Sequence, residues 1–159
     1  MKKLFLAFIL ILLILPFQDG LAQKDFTIKD IMSSGFPSGL VSSMTADLVA
    51  WVENLEGVRN IFVSNGQETQ QITNYSRDDG QEISNLIISP DNTFIIFERG
   101  GAPNQQGEIP NPLSLAEKTK RQIWKINTDD KKPVLISEGD HPVLSSDGKT
   151  LLFSRRGQA

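Results

Sequence analysis

The stretch Ser89-Pro90-Asp91-Asn92-Thr93-Phe94-Ile95-Ile96-Phe97-Glu98-Arg99 runs from a turn, through a strand apolar at consecutive positions, to a charged exit. It recurs. Ser145-Ser146-Asp147-Gly148-Lys149-Thr150-Leu151-Leu152-Phe153-Ser154-Arg155 repeats it at a constant offset of 56 residues, and Ser, Asp, Phe and Arg coincide. A weaker copy, Ser43-Met44-Thr45-Ala46-Asp47-Leu48-Val49-Ala50-Trp51-Val52, lies 46 residues before Ser89, with Trp51 in the position of Phe97. Self-similarity at such a spacing is the sequence signature of a repeat architecture.

A second feature recurs between the copies. Asn60-Ile61-Phe62-Val63 follows the first copy and Gln122-Ile123-Trp124-Lys125-Ile126 the second. Each leads through a polar turn, Asn65-Gly66 or Asp129-Asp130, into Gln71-Ile72-Thr73 or Leu135-Ile136-Ser137. Each period therefore holds four short strand-like runs. In Pro90-Asp91-Asn92 and Ser146-Asp147-Gly148 the Asp side chain can bond the local backbone, and Asn or Gly tolerates the left-handed conformation of a tight reversal. These read as hairpin turns. In Phe94-Ile95-Ile96-Phe97 and Leu151-Leu152-Phe153 both strand faces are apolar, which predicts sheets covered on both faces. Small four-stranded sheets stacked face to face are the blades of a β-propeller. The expected fold is all-β: an incomplete propeller of four-stranded antiparallel blades.

The second period exceeds the first by an insertion at residues 99–112, from Arg99-Gly100-Gly101 to Pro110-Asn111-Pro112. In an up-and-down blade it joins the second and third strands, on the rim opposite the Asp91 and Asp147 turns. Ser114-Leu115-Ala116-Glu117 has capping-box spacing and predicts a short helical turn. A long rim loop is a place for recognition. Arg99, Asn104, Glu108 and Asn111 are its candidate binding residues.

The first 22 residues differ from the rest. Lys2 and Lys3 precede the apolar run Leu4 to Leu15, then Pro16, a polar patch and Gly20-Leu21-Ala22. That order predicts a secretory signal peptide cleaved after Ala22, its apolar core being shorter than the roughly 20 residues of a spanning helix. Residues 23–159 are then a secreted or periplasmic partial propeller without a stable membrane anchor. The chain has no cysteine, so neither lipid attachment through a cysteine nor a disulfide is available. Beyond Ala22 the side chains count 14 basic against 18 acidic, which is not the charge of a nucleic-acid binder. Lys118-Thr119-Lys120-Arg121 and Lys131-Lys132 each stand near acids and read as solvated loops.

Catalytic chemistry is sparse. Gly35-Phe36-Pro37-Ser38-Gly39 has one residue too many before its serine for a nucleophile elbow. His141 is the single histidine, so any Ser-His-Asp relay must use it; beside a strand start, it is expected to pack near the propeller channel. Scattered Asp residues lack calcium-loop spacing, and Gly100-Gly101 leads into proline-rich sequence rather than a helix. No cofactor, metal or catalytic residue is assigned. Asn74-Tyr75-Ser76 fits the glycosylation sequon, and Trp51 and Trp124 are expected to fill blade cores.

The repeats resemble the propeller motif of TolB and of the prolyl oligopeptidase family, whose consensus runs Ser-Pro-Asp-Gly and then an apolar strand ending in an aromatic. Here Asn92 stands for the Gly of one copy and Ser146 for the Pro of the other. The order of parts is similar to the beginning of secreted dipeptidyl-peptidase IV-like or acylaminoacyl-peptidase-like enzymes. Those parts are the leader, Phe26-Thr27-Ile28-Lys29-Asp30-Ile31, Ala50-Trp51-Val52, Gly57-Val58-Arg59-Asn60-Ile61-Phe62 and the 99–112 insertion. The likeness covers nearly all of residues 23–159. It implies a propeller that precedes an α/β-hydrolase domain and restricts which peptides reach its serine. No triad position is carried over, and Glu98 and Glu108 form no recognisable Glu-Glu pair.

A ring needs at least four blades, whereas residues 23–159 hold about two and the start of a third. The expectation is a fragment with open sheet edges, prone to aggregate alone. Its function would be substrate gating in a serine peptidase, non-catalytic by itself, with peptide reaching it through the hydrolase domain. The alternatives are a TolB-like periplasmic propeller whose rim binds protein partners, or a truncated product without independent function.

Overall fold

The computed structural model describes residues 27–117 and 119–155. The expected signal peptide at residues 1–22 lies outside them. At the start, α1 (Ile28–Met32) is one short helix. Its cap is reciprocal: the Asp30 amide donates to Thr27 Oγ1 at 3.2 Å, and the Thr27 amide donates to Asp30 Oδ2 at 2.9 Å. No helix among the described residues is long and apolar enough to cross a membrane.

Two four-stranded antiparallel meanders follow. Sheet 1 comprises β1 (Phe36–Ser42), β2 (Val49–Leu55), β3 (Val58–Ser64) and β4 (Thr69–Gln71), paired in chain order. Sheet 2 comprises β5 (Ile83–Ile88), β6 (Phe94–Arg99), β7 (Gln122–Asn127) and β8 (Val134–Glu138), likewise in order. A two-stranded sheet 3 is formed by β9 (Asp140–Leu144) and β10 (Leu151–Ser154). None closes on itself. The insertion joins β6 to β7, at the end of sheet 2 opposite the Asp91 turn, as the meander requires.

The repeat is structural down to the register. Val41 faces Ala50, Ile87 faces Ile96 and Val143 faces Leu152, each at the same offset as the sequence copies. Ser38 with Val52, Ser84 with Glu98 and Asp140 with Ser154 form a second equivalent set. Between the two sets every first strand carries a bulge, and the equivalent bulge residues Gly39, Asn85 and His141 all have positive φ, of 62°, 50° and 54°. The left-handed conformation costs least for Gly, and among other residues Asn, Asp and His adopt it most readily.

The hairpin turns match as well. Ser89 Oγ donates to Asp91 Oδ1 at 2.6 Å and accepts from the Phe94 amide at 3.0 Å. Ser145 Oγ does the same with Asp147 and Thr150, at 2.5 and 2.9 Å. Asn92 and Gly148 take the left-handed position of each turn, with φ of 62° and 70°. The weak first copy keeps the closing bond, Ser43 N to Leu48 O at 2.7 Å, without an aspartate.

The sheets stack through their first strands. β5 lies against β1, β2 and β3, and β9 lies against β5, β6 and β7. Ala50, Val52, Ile61 and Val63 on the front of sheet 1 meet Ile95, Phe97 and Ile126 on the back of sheet 2 to form the core. β6 is buried on both faces, as its unbroken apolar run predicts. β10 is not: Leu152 and Phe153 are exposed, because β9 is the only described strand in contact with β10. Trp124 packs against the core, whereas Trp51 is half-buried on the back of sheet 1 and stacks on Phe62, their ring centroids 5.8 Å apart. The expectation that Trp51 fills a core is corrected. Cross-strand pairing supports the ring, and among the described residues no third layer covers it.

Candidate functional site

The β6–β7 loop and the strand ends beneath it form the candidate site. Arg99 leaves β6 and is held between the Asp79 carboxylate, as an ion pair, and the Tyr75 ring, 4.4 Å from the guanidinium carbon. Burial pushes the Tyr75 phenol up; the Arg99 charge opposes the shift and Asp79 adds to it. Asn104 and Glu108 bind each other. The Asn104 amide donates to Glu108 O, the Glu108 amide to Asn104 Oδ1, and Asn104 Nδ2 to Glu108 Oε2, each at 2.9 Å. Asn111 clamps the next turn, accepting from the Leu115 amide at 3.0 Å and donating to Leu115 O at 2.9 Å. Three of the four residues singled out from sequence thus shape their own loop, and Arg99 ties it to the segment after sheet 1. They do not converge on one point.

The helical turn expected at Ser114 is absent. Ser114 sits at φ 50°, outside the extended conformation of an N-cap, and Asn111 takes the bonds that a serine cap would have organised. Gln81 Nε2 to Pro110 O, at 3.1 Å, and Thr119 Oγ1 to Pro110 O, at 2.8 Å, anchor the loop's proline-rich arm.

What does converge was not predicted. Glu98 is wholly buried on the front of β6 and forms an ion pair with Arg121. Asn85 Nδ2 donates to Glu98 Oε2 at 2.9 Å and the His141 amide to the same oxygen at 3.1 Å. Arg121 reaches on to Asp140 at 3.3 Å, and Asp140 accepts from the Ser154 hydroxyl. Two of the three bulges, at Asn85 and His141, therefore supply donors to one buried carboxylate. A buried charge is tolerable only when its oxygens are met in this way. The residues come from both sheet 2 and sheet 3, so the network bridges that seam.

The front of the seam opens into a hollow of about 160 Å³ lined by Pro103, Ile109, Lys120, Arg121, Asp140 and Arg155. Lys120 pairs with Glu138 at 2.5 Å, and Arg155 Nη2 donates to Ser137 Oγ at 2.7 Å. On the rim Lys120 and Arg121 are thus paired with carboxylates, and Arg155 with a serine hydroxyl.

Ser154, His141 and Asp140 stand together in the wrong order for nucleophilic catalysis. A relay needs the imidazole between serine and carboxylate. Here Asp140 is in the middle: its Oδ1 accepts from Ser154 and lies 3.2 Å from His141 Nδ1. Burial raises the Asp140 carboxyl, but the hydrogen bonds from Ser154 and His141 and the Arg121 charge outweigh it and hold it below the usual range. It is a weak base. The His141 side chain is 73% exposed rather than packed in an interior channel, a correction that follows from its bulge geometry. Among the described residues no three metal-ligating side chains cluster.

No protein-family model matches the chain, and no curated protein matches its sequence.

Proposed function

We propose that residues 23–159 are the opening part of a β-propeller, about two blades and the start of a third, exported behind a signal peptide at residues 1–22. In this reading the propeller belongs to a secreted serine peptidase of the prolyl oligopeptidase type and gates peptide access without cutting. The observation that carries the propeller is the equivalence of the three strand pairs and bulges, with successive first strands stacked against one another. Stacked four-stranded meanders repeated along a chain are the unit from which propellers are built, which supports this reading. The peptidase attribution rests on the order of sequence parts, from leader to Arg99-Gly100-Gly101 insertion. The Asp140–Ser154–His141 arrangement supports a non-catalytic role for this segment.

A fluorophosphonate probe, which labels activated serines, tests the reading on the native product isolated with an antibody against this chain. Labelling of a product much heavier than 17.6 kDa is expected. An unlabelled product of that larger size would overturn the peptidase and favour a TolB-like propeller that binds protein partners at its rim.

A further inference from the structure

The β6–β7 insertion has a buried neck and a tip bonded only to itself. At the neck Gly100 and Gly101 are buried, and the Gly100 amide donates to Glu82 O at 2.9 Å. A Cβ on Gly100 would lie 2.8 Å from Lys120 O, and one on Gly101 2.7 Å from the Pro110 ring, so the two legs of the loop touch where it leaves the sheet. Beyond the neck the bonding changes. Every hydrogen bond made by residues 101–108 joins Asn104 to Gln106, Gly107 or Glu108, and among the described residues none reaches a sheet. Pro103 and Ile109 are half-buried, whereas Ala102 and residues 104–108 are exposed. The tip also borders two hollows. Pro103 and Ile109 roof the one of about 160 Å³ above Lys120, Arg121 and Asp140, and Ala102, Gln106 and Glu108 line an open one of about 820 Å³ with Thr119.

We infer that residues 102–109 form a flap that rocks as a unit about the Gly101–Pro110 neck. Shut, it seats Pro103 and Ile109 over the smaller hollow; open, it swings into the larger one and uncovers Arg121 and Asp140 at the seam between sheets 2 and 3. The bonds through Asn104 hold the flap's own shape, so the motion is a hinge and not a melting. Among the described residues only the partial burial of one proline and one isoleucine holds it down, which puts its opening at the low end of local free energies. The neck is fixed from both sides, by Glu82 at Gly100 and by Gln81 and Thr119 at Pro110, so the opening stops there. The inference rests on the loop's bonding and not on the peptidase reading, so failure of serine labelling leaves it untouched; within that reading the flap is the moving part of the gate.

The chain has no cysteine, so one introduced thiol reports the opening without background. Ile109→Cys places it on the flap's underside and Ala102→Cys on its exposed side. With an open state populated at about 0.1–10%, the thiol of Ile109→Cys should react about 10- to 1000-fold more slowly than that of Ala102→Cys. Its rate should not change with urea below the unfolding transition, because a hinge exposes little new surface. Adding Gly101→Ala, which wedges a methyl against Pro110, should raise that rate severalfold. In the wild type, the Gln106, Gly107 and Glu108 amides should exchange hydrogen more slowly than the flap opens, and Asn104→Ala should remove that protection. Equal rates at the two thiols would mean that no shut state exists and would overturn the proposal. So would an Ile109→Cys thiol that reacts only through global unfolding, its rate climbing with urea throughout, or amides at 106–108 that exchange as fast as the thiol is reached.

Discussion

Arg121 stands between two carboxylates, and its removal should be the costliest single change in the polar seam. Glu98 is fully buried and Asp140 nearly so, and the guanidinium serves both. At an effective dielectric near 20, a contact ion pair is worth about 4 kcal/mol. Removing one partner of a buried pair costs about 3–5 kcal/mol, because the other charge is left uncompensated. Arg121→Met should fall in that range. Glu98→Met should cost less, about 2–3 kcal/mol, since Arg121 keeps Asp140 at 3.3 Å and only the Asn85 and His141 donors are orphaned. In the double variant the buried Glu98 charge that Arg121→Met leaves unpaired is gone, while Asp140 keeps its Ser154 and His141 partners. The cost of the double variant should undercut the sum of the singles by at least about 1.5 kcal/mol, the coupling expected of residues in contact. Urea unfolding followed by tryptophan fluorescence measures all three, with a constant slope showing that only stability has changed. Costs that add to within about 0.5 kcal/mol would refute the buried-pair reasoning.

The bulges give a second prediction. His141→Gly should stabilise the chain by up to about 1 kcal/mol by relieving a left-handed residue, and His141→Val should destabilise it by about 1–2 kcal/mol; thermal melts of the two variants should bracket the wild type. The Asp140 carboxyl, held low in the fold, contributes stability that is fully present above the unfolded value near 3.8 and is lost as pH falls through its lower folded value. The wild-type unfolding midpoint should therefore drop more steeply below pH 3.8 than that of Asp140→Asn, and parallel curves would contradict the linkage. Ser89 hydrogen bonding lowers the Asp91 carboxyl, and Ser145 does the same for Asp147. Asp91→Ala and Asp147→Ala should each lower the unfolding midpoint, whereas Asp47→Ala, at the copy whose turn closes without an aspartate, should not.

The turns were legible because their chemistry is local. Ser89 bonds with Asp91 and with the Phe94 amide within six residues, and the same Ser and Asp recur at Ser145 and Asp147 with the Thr150 amide. Strand order followed, since short polar turns leave antiparallel neighbours as the only short connection. The bulges were hidden because Gly39, Asn85 and His141 share only a tolerance for positive φ, and that tolerance shows once the register is known. Glu98 carried a readable hint, as the one acid closing an apolar run that is buried on both faces. Its partner Arg121 lies across the whole insertion, and only the pairing of β6 with β7 brings them together. Trp51 was misplaced for a different reason. The repeat put it correctly in the position of Phe97, but burial belongs to the neighbouring layer as much as to the strand.

The most direct test of the propeller account is the intact mass of the natural product, together with the coding sequence past Ala159. The account predicts a substantially heavier protein in which further Ser-x-Asp turns complete at least about four sheets before a Gly-x-Ser-x-Gly elbow. A stable, monomeric product consisting of residues 23–159 alone would contradict it.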